Sequence, residues 1–253
     1  KEKTLSNFFN NFFKSEFDGI VISVHPNIQV ELILQAIKLK IPILIEKPIC
    51  LNYEDLKKIC RLKSNEQIIL VNHYHLFLNS ISFIKEQIDP FEIKNICVYD
   101  GNFGPFRKNF PCLFDWGPHS VGLVNYLFGE KPKKISYLRK EIKKNNSEIW
   151  KLELTFSNNR KSVLKFGNGF NSRIKLIKIY LKTENKPIII QDNLLKCIPN
   201  KLNYVAKYNI VNDPMENILN DFVDCISKNI LDKKNSFTVA SESNELLFGI
   251  YKS

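Results

Sequence analysis

The sequence predicts an α/β chain in two parts, a doubly wound unit with a parallel sheet up to about residue 74 and a sheet-rich α+β part after it. Three observations predict this. Between Ile20 and Asn72 three short apolar stretches, IVISV, ILIE and QIILVN, alternate with two amphipathic helical patterns, the βαβαβ rhythm of a parallel sheet. From residue 75 the pattern changes to long segments of period two punctuated by turn residues. Finally, Glu46, Lys47 and Pro48 directly follow the middle apolar stretch, and ligands of open parallel sheets gather outside the carboxyl ends of the strands.

Each element has its own signal. Residues 4–16 carry Phe at spacings of three and four, an amphipathic helix with Thr4 or Ser6 as N-cap. Asp18 and Gly19 turn the chain into the strand at 20–24. Residues 25–27 form a loop, and Val30 to Lys40 repeats apolar residues on one helical face. The strand beginning at Ile43 stops at Pro48, which cannot donate to a ladder. Asn52 caps a helix over 53–63, with Glu54 and Asp55 in the first turn where the helix dipole favours acids. A third strand spans about 67–72. A helix follows at 78–87, then seven alternating strand segments between residues 94 and 198 that form one large, mostly antiparallel sheet. Helices are predicted at 120–129 with Gly129 as C-cap, at 215–228 behind Asp213 and Pro214, and at 240–251.

Composition narrows the function classes. With 253 residues, 44% of them hydrophobic, the chain can bury a sizeable core, and no run of eighteen apolar residues is present to span a membrane. The amino-terminal residues carry no signal-peptide pattern, so a cytoplasmic location is expected. Six scattered cysteines without a CxxC pair argue against a zinc site and against a dense secreted disulfide framework, and predict reduced, mostly buried thiols. The net charge of +11 invites a nucleic-acid reading. Only five of the 37 basic residues are arginine, however, and the lysines are spread over the whole chain, so no recognition patch is evident. No nucleic-acid partner is expected, while a mild attraction for phosphate-bearing small molecules is.

Two constellations carry chemistry. Lys47 and Glu46 stand where a reactive site forms in an open sheet, although a surface lysine after a core strand is the plain alternative. Asp115 and His119 are four apart in DWGPH, so both side chains face the same way on a helix. An acid beside an imidazole can hold its protonation state for general acid or base work. A helix cap plus a buried histidine is the competing reading, against which Gly117 and Pro118 argue for an unusual backbone approach to the helix.

The stretch from Asp18 to Ile49, the DWGPHSVGLVNYLFG segment, and the late PMENILNDFVDCISKN and ESNELLFGIYKS helices together resemble the Gfo/Idh/MocA oxidoreductases, the glucose-fructose oxidoreductase and inositol dehydrogenase family. The resemblance implies a partial Rossmann domain over 1–74 and a substrate and oligomerisation domain over 75–253. It implies NAD or NADP as cofactor, oxidation or reduction of a hydroxyl on a sugar, inositol or nucleotide-sugar, and a homo-oligomer formed through the large sheet. Lys47 matches the EKP lysine near nicotinamide and substrate, and Asp115 and His119 match the downstream pair, with His119 transferring the proton or assisting the group that does. Glu46, Pro48, Gln29 and His25 are implied cofactor contacts, Gln29 standing where many members carry histidine. His73 and Arg107 are implied substrate contacts, with a hinge histidine and a solvated loop arginine as their alternatives; Phe103 and Lys108 flank Arg107 in the same loop.

The sequence departs from the family pattern at its start. The first strands and the glycine-rich phosphate-binding turn are missing, which leads us to expect a truncated chain with impaired cofactor binding and an exposed sheet edge. A non-catalytic, sugar-binding or oligomerising remnant is the alternative function.

Overall fold

A computed structural model describes residues 17–107, 110–142, 147–198 and 213–251. The helix expected at 4–16 lies outside them. The first unit runs β1 (Ile20–Ile22), α1 (Pro26–Lys38), β2 (Ile43–Ile45), α2 (Tyr53–Leu62) and β3 (Ile69–Val71). Its strands pair in parallel in the order β1-β2-β3, with Ile20, Ile43 and Ile69 in register. β2 and β3 are buried on both faces, which is why they read as unbroken apolar runs and not as alternation.

Two boundaries moved. β1 ends at Ile22, two residues early, and α1 starts at Pro26, four residues before the apolar periodicity begins. The cause is local: the His25 ring accepts a hydrogen bond from the Asn27 N–H, and Pro26 occupies the first helical position, where its missing donor costs nothing. In α2 the Asn52 side chain accepts from the Glu54 N–H at 2.8 Å, the cap the sequence predicts.

After a 3₁₀ turn at Tyr74–Phe77 come α3 (Asn79–Gln87) and β4 (Ile93–Phe103). α4 (Cys112–Phe128) precedes the strands β5 (Lys134–Ile142), β6 (Glu148–Thr155), β7 (Lys161–Gly167), β8 (Gly169–Leu181), β9 (Ile188–Gln191) and β10 (Leu194–Cys197). Seven strands form one sheet in the order β10-β9-β8-β4-β7-β6-β5, antiparallel throughout except for the β4–β7 pair. The chain ends in α5 (Pro214–Ser227) and α6 (Ser236–Tyr251).

α4 differs most from expectation. The helix was predicted from residue 120, with Gly117 and Pro118 ahead of it; both lie inside it. Proline in a helix interior costs about 3 kcal/mol, and burial offsets that here, because 13 of the 17 residues are buried. Gly117 serves close packing: a Cβ there would sit 3.0 Å from Leu247 of α6 and 3.3 Å from Phe166 of β7. Gly129 ends the helix at φ 69°, as predicted.

The last helices return to the first unit. α6 starts at Ser236, four residues earlier than its apolar face implied, and the Ser236 hydroxyl accepts from the Val71 N–H at 2.9 Å. Ile218 and Phe222 of α5 pack with Leu44 and Leu70 of the parallel sheet and Phe77 of the 3₁₀ turn. Asn217 donates to the Phe77 carbonyl at 2.8 Å. The main hydrophobic cluster runs from Ile22 and Ile45 through Val121 and Leu123 to Leu164 and Ile179, so the two sheets share a core. All six cysteines are free; Cys50, Cys112 and Cys225 are buried, while Cys60 is exposed and Cys97 and Cys197 are partly so, fewer buried thiols than expected.

Candidate functional site

The carboxyl ends of β1 and β2 open on a cleft of about 570 Å³ lined by Ser23, Val24, His25, Glu46, Lys47, Arg107, Phe110 and Asp115. Lys47 crosses it. Its Nζ donates to the Asp115 backbone carbonyl at 2.6 Å and lies 3.2 Å from Asp115 Oδ1, with both side chains largely buried. Arg107 Nε approaches the other carboxylate oxygen at 3.5 Å from a mostly exposed position. The EKP turn and the first turn of α4, 68 residues apart, are thereby joined by one acid.

The turn is held from behind. Gln29, completely buried on α1, donates its amide to the carbonyls of Glu46, Pro48 and Ile49 at 2.8, 3.0 and 3.2 Å. It faces the inside of the turn and does not line the cleft, and so holds the backbone on both sides of Lys47. Pro48 is buried as well, and the Lys47–Pro48 peptide bond is cis. Glu46 accepts from Asn72 at 2.8 Å, and exposed His25 rests edge-on against Phe110 at the cleft mouth. Lys108 lies outside the described residues.

Behind the cleft stand three imidazoles around a tyrosine. The His119 ring centroid is 4.7 Å from Tyr74, 5.5 Å from His75 and 5.7 Å from His73. Asp115, one helical turn away, is committed to Lys47 and Arg107, and His119 Nδ1 is sealed off without a hydrogen bond, although the residue keeps partial exposure. The pair is therefore arranged differently from an acid orienting its neighbouring imidazole. His73 is fully buried with neither ring nitrogen bonded, and α4 comes so close that a Cβ at Gly122 would meet its ring at 2.7 Å. That is the hinge-histidine alternative, not a substrate contact in this conformation.

Sequence reasoning missed Tyr74, His75, Asp100 and Lys175. His75 Nε2 lies 3.8 Å from Asp100, and Lys175 Nζ stands 4.4 Å from the Tyr74 ring centre. Asp100 and Lys175 are cross-strand partners on β4 and β8. A signal for them was present: Asp100 shares the strand parity of buried Ile96 and Val98, and Lys175 that of Ile177 and Ile179.

Burial governs the protonation states. It drives His73 and His75 down to about 3, with Lys47 and Lys175 respectively adding repulsion. His119 is likewise held well below the ordinary imidazole range by burial, then by Lys47 and its histidine neighbours. Burial lifts the Asp100 carboxyl to about 6 against the pull of Lys175 and Lys47.

Residues 3–74 match the model of the GFO_IDH_MocA oxidoreductase family, NAD-binding Rossmann fold. No curated protein matches the sequence. Among solved structures, a putative oxidoreductase from Magnetospirillum magnetotacticum MS-1 is 19% identical with a TM-score of 0.76, covering 92% of this chain and 80% of that one. A dehydrogenase from Chromobacterium violaceum is 15% identical with a TM-score of 0.78, covering 98% and 78%. The UDP-N-acetylglucosamine 3-dehydrogenase GnnA from Acidithiobacillus ferrooxidans is 14% identical with a TM-score of 0.79, covering 93% and 77%. Such identities speak for the fold alone.

The imidazole cluster makes stability depend on pH. Folded His73 and His75 titrate near 3 and an unfolded imidazole near 6.5, so the unfolded chain binds more protons below 6.5 and stability falls as pH drops from there toward 3. Asp100, raised from 3.8 to about 6, recovers part of this between those values. Urea unfolding at pH 7 and pH 5 should show a net loss, about 1.4 kcal/mol per pH unit for each imidazole not offset by the carboxyl; equal stability at the two values would contradict the buried neutral rings. Over residues 3–74 the sequence thus matches the model of the Gfo/Idh/MocA oxidoreductase family, NAD-binding Rossmann fold, and the described residues share the fold of these solved structures.

Proposed function

We propose that the protein is an NAD(P)-dependent oxidoreductase acting on a hydroxyl of a sugar, inositol or nucleotide-sugar type substrate. The observation that carries this reading is the contact of Lys47 with Asp115 at the mouth of a cleft formed by strand carboxyl ends. GnnA, a UDP-sugar dehydrogenase by name, shares the fold and supports the substrate class.

The cleft fits one end of a dinucleotide. Ser23, Val24 and His25 lead into the amino terminus of α1, where backbone N–H groups and the helix dipole favour an electron-rich partner. Among the described residues no glycine-rich turn adjoins it, so these groups suit the nicotinamide and its ribose more than the pyrophosphate. When bound, NAD(P) supplies the hydride acceptor or donor. The chain's own residues then handle position and proton. Lys47 has three donors, and with Asp115 taking the near side the ammonium is fixed and still able to hold a substrate hydroxyl. Arg107 screens the outer edge of the carboxylate. Neutral His119 is the group behind Lys47 that can accept the hydroxyl proton as the carbon is oxidised.

Self-association through the outer face of the seven-stranded sheet is part of the same proposal, supported by partly exposed Cys97, Tyr99 and Val163 on that face. Sedimentation should give a species heavier than one chain, and a monomer at every concentration would exclude it. For the chemistry, NADH and NADPH fluorescence titrations with a turnover assay on sugars and inositols are decisive. The reading predicts binding by both wild type and Lys47→Ala, with turnover lowered by about 10²-fold or more in the variant. Failure of both cofactors to bind, or unchanged turnover in Lys47→Ala, would refute it.

A further inference from the structure

The turn that carries Lys47 is held by side-chain amides from three places in the chain. Gln29 on α1 donates through one nitrogen to the carbonyls of Glu46, Pro48 and Ile49. Asn244 on α6, 194 residues along the chain from Cys50, donates to the Cys50 carbonyl at 2.9 Å. Asn72, just after β3, donates to the Glu46 carboxylate at 2.8 Å. The backbone on both sides of Lys47 is thus fastened to buried amide nitrogens supplied by two helices.

Each amide gives its nitrogen and strands its oxygen. A carbonyl can only accept, so the amide has to meet it with an N–H group. Among the described residues, Gln29 Oε1, Asn72 Oδ1 and Asn244 Oδ1 are buried with no hydrogen-bond partner, and Gln29 and Asn244 are wholly buried. A buried acceptor without a donor lowers stability. Three of them around one turn mark a place where donation to the turn outweighs that loss. Gln29 also joins the two walls of the cleft: its backbone N–H donates to the His25 carbonyl at 3.1 Å on one wall, and its side chain to the Glu46 carbonyl on the other. Lysine places its charge at the end of a flexible four-carbon stem. Its ammonium therefore meets both acceptors on Asp115 only while its own backbone stands at the right distance from α4.

We infer that Gln29 and Asn244 are positioning residues for Lys47: by fixing the backbone from Glu46 to Cys50 they set where its ammonium lands in the cleft. Neither of them lines the cleft. Asn72 holds the Glu46 side chain and not the backbone of the turn, and so stands outside the claim. The inference rests on the oxidoreductase reading for what Lys47 does to a substrate, but the placement is measured with neither substrate nor cofactor.

Isotope labelling of lysine and NMR of the side-chain ammonium groups read that placement, the Lys47 signal being identified by its absence from Lys47→Arg. An ammonium held by Asp115 exchanges its protons with water more slowly than an exposed one, because its hydrogen bonds have to open first. Gln29→Met and Asn244→Leu keep the bulk of the side chain and remove the donor, while Gln29→His keeps a ring N–H; circular dichroism establishes that each is folded. The wild type is expected to show a distinct, protected Lys47 signal. Gln29→Met speeds its exchange by about tenfold or more, the worth of one hydrogen bond to a charged group. Asn244→Leu, which frees one carbonyl instead of three, acts in the same direction by a smaller factor, and Gln29→His keeps most of the protection. Amides that serve stability alone would lower the unfolding midpoint and leave the Lys47 signal of the folded chain unchanged. No protected Lys47 signal in the wild type, an unchanged one in folded Gln29→Met and Asn244→Leu, or equal loss in Gln29→Met and Gln29→His would overturn the assignment; should Gln29→Met not fold, Asn244→Leu decides alone. NADH fluorescence on the wild-type sample keeps the two claims apart: no cofactor binding beside the expected Lys47 behaviour discards the redox reading and keeps the positioning.

Discussion

One acid holds this structure's two halves in working order. Asp115 accepts the Lys47 ammonium through both its backbone carbonyl and its carboxylate, so the turn that ends β2 and the helix that covers the large sheet meet at one point. Everything that positions Lys47 serves that meeting. Gln29 ties down three carbonyls of the EKP turn, Asn72 anchors Glu46, and the long buried α4 brings Asp115 to the cleft with its glycines pressed against Leu247 and His73. A largely buried ion pair is a weak source of stability in itself, because desolvation offsets much of the attraction. Its value here is geometric: an ammonium fixed at the mouth of a cleft.

Much of this was legible in the sequence, for reasons that can be named. Short β-branched runs bounded by turns and caps mark β1 to β3, since a parallel strand buried on both faces cannot alternate. Alternation marks β4 to β10 equally well, because one face of that sheet is packed and the other is not. Asp213 with Pro214 and Asn52 with Glu54 announce helix starts through capping chemistry that acts locally. The errors fall where tertiary packing overrides local rules. Pro118 reads as a helix breaker, yet α4 runs through it because nearly the whole helix is buried.

The site was legible in the same uneven way. Lys47, Asp115, Arg107, Glu46 and His25 converge on one cleft. Gln29, Pro48 and His73 do not line it, since a polar residue near a strand end can equally well be turned inward to satisfy backbone carbonyls or to pack against a helix. Asp100 and Lys175 went unnoticed because a charge in an alternating strand reads as an outward residue unless its parity is checked against its apolar neighbours, and Tyr74 and His75 lie in a 3₁₀ turn that has no such parity. Chemistry concentrates at those exceptions: the positions that break the core pattern are the ones beside His119.

The central claim is that Lys47 and Asp115 act as one unit joining the two halves. A double-mutant cycle on urea unfolding, with Lys47→Met, Asp115→Asn and the double variant, tests it without requiring a substrate. The account predicts a coupling energy of about 0.5–3 kcal/mol between the two substitutions. Strictly additive effects would show that the contact joins nothing.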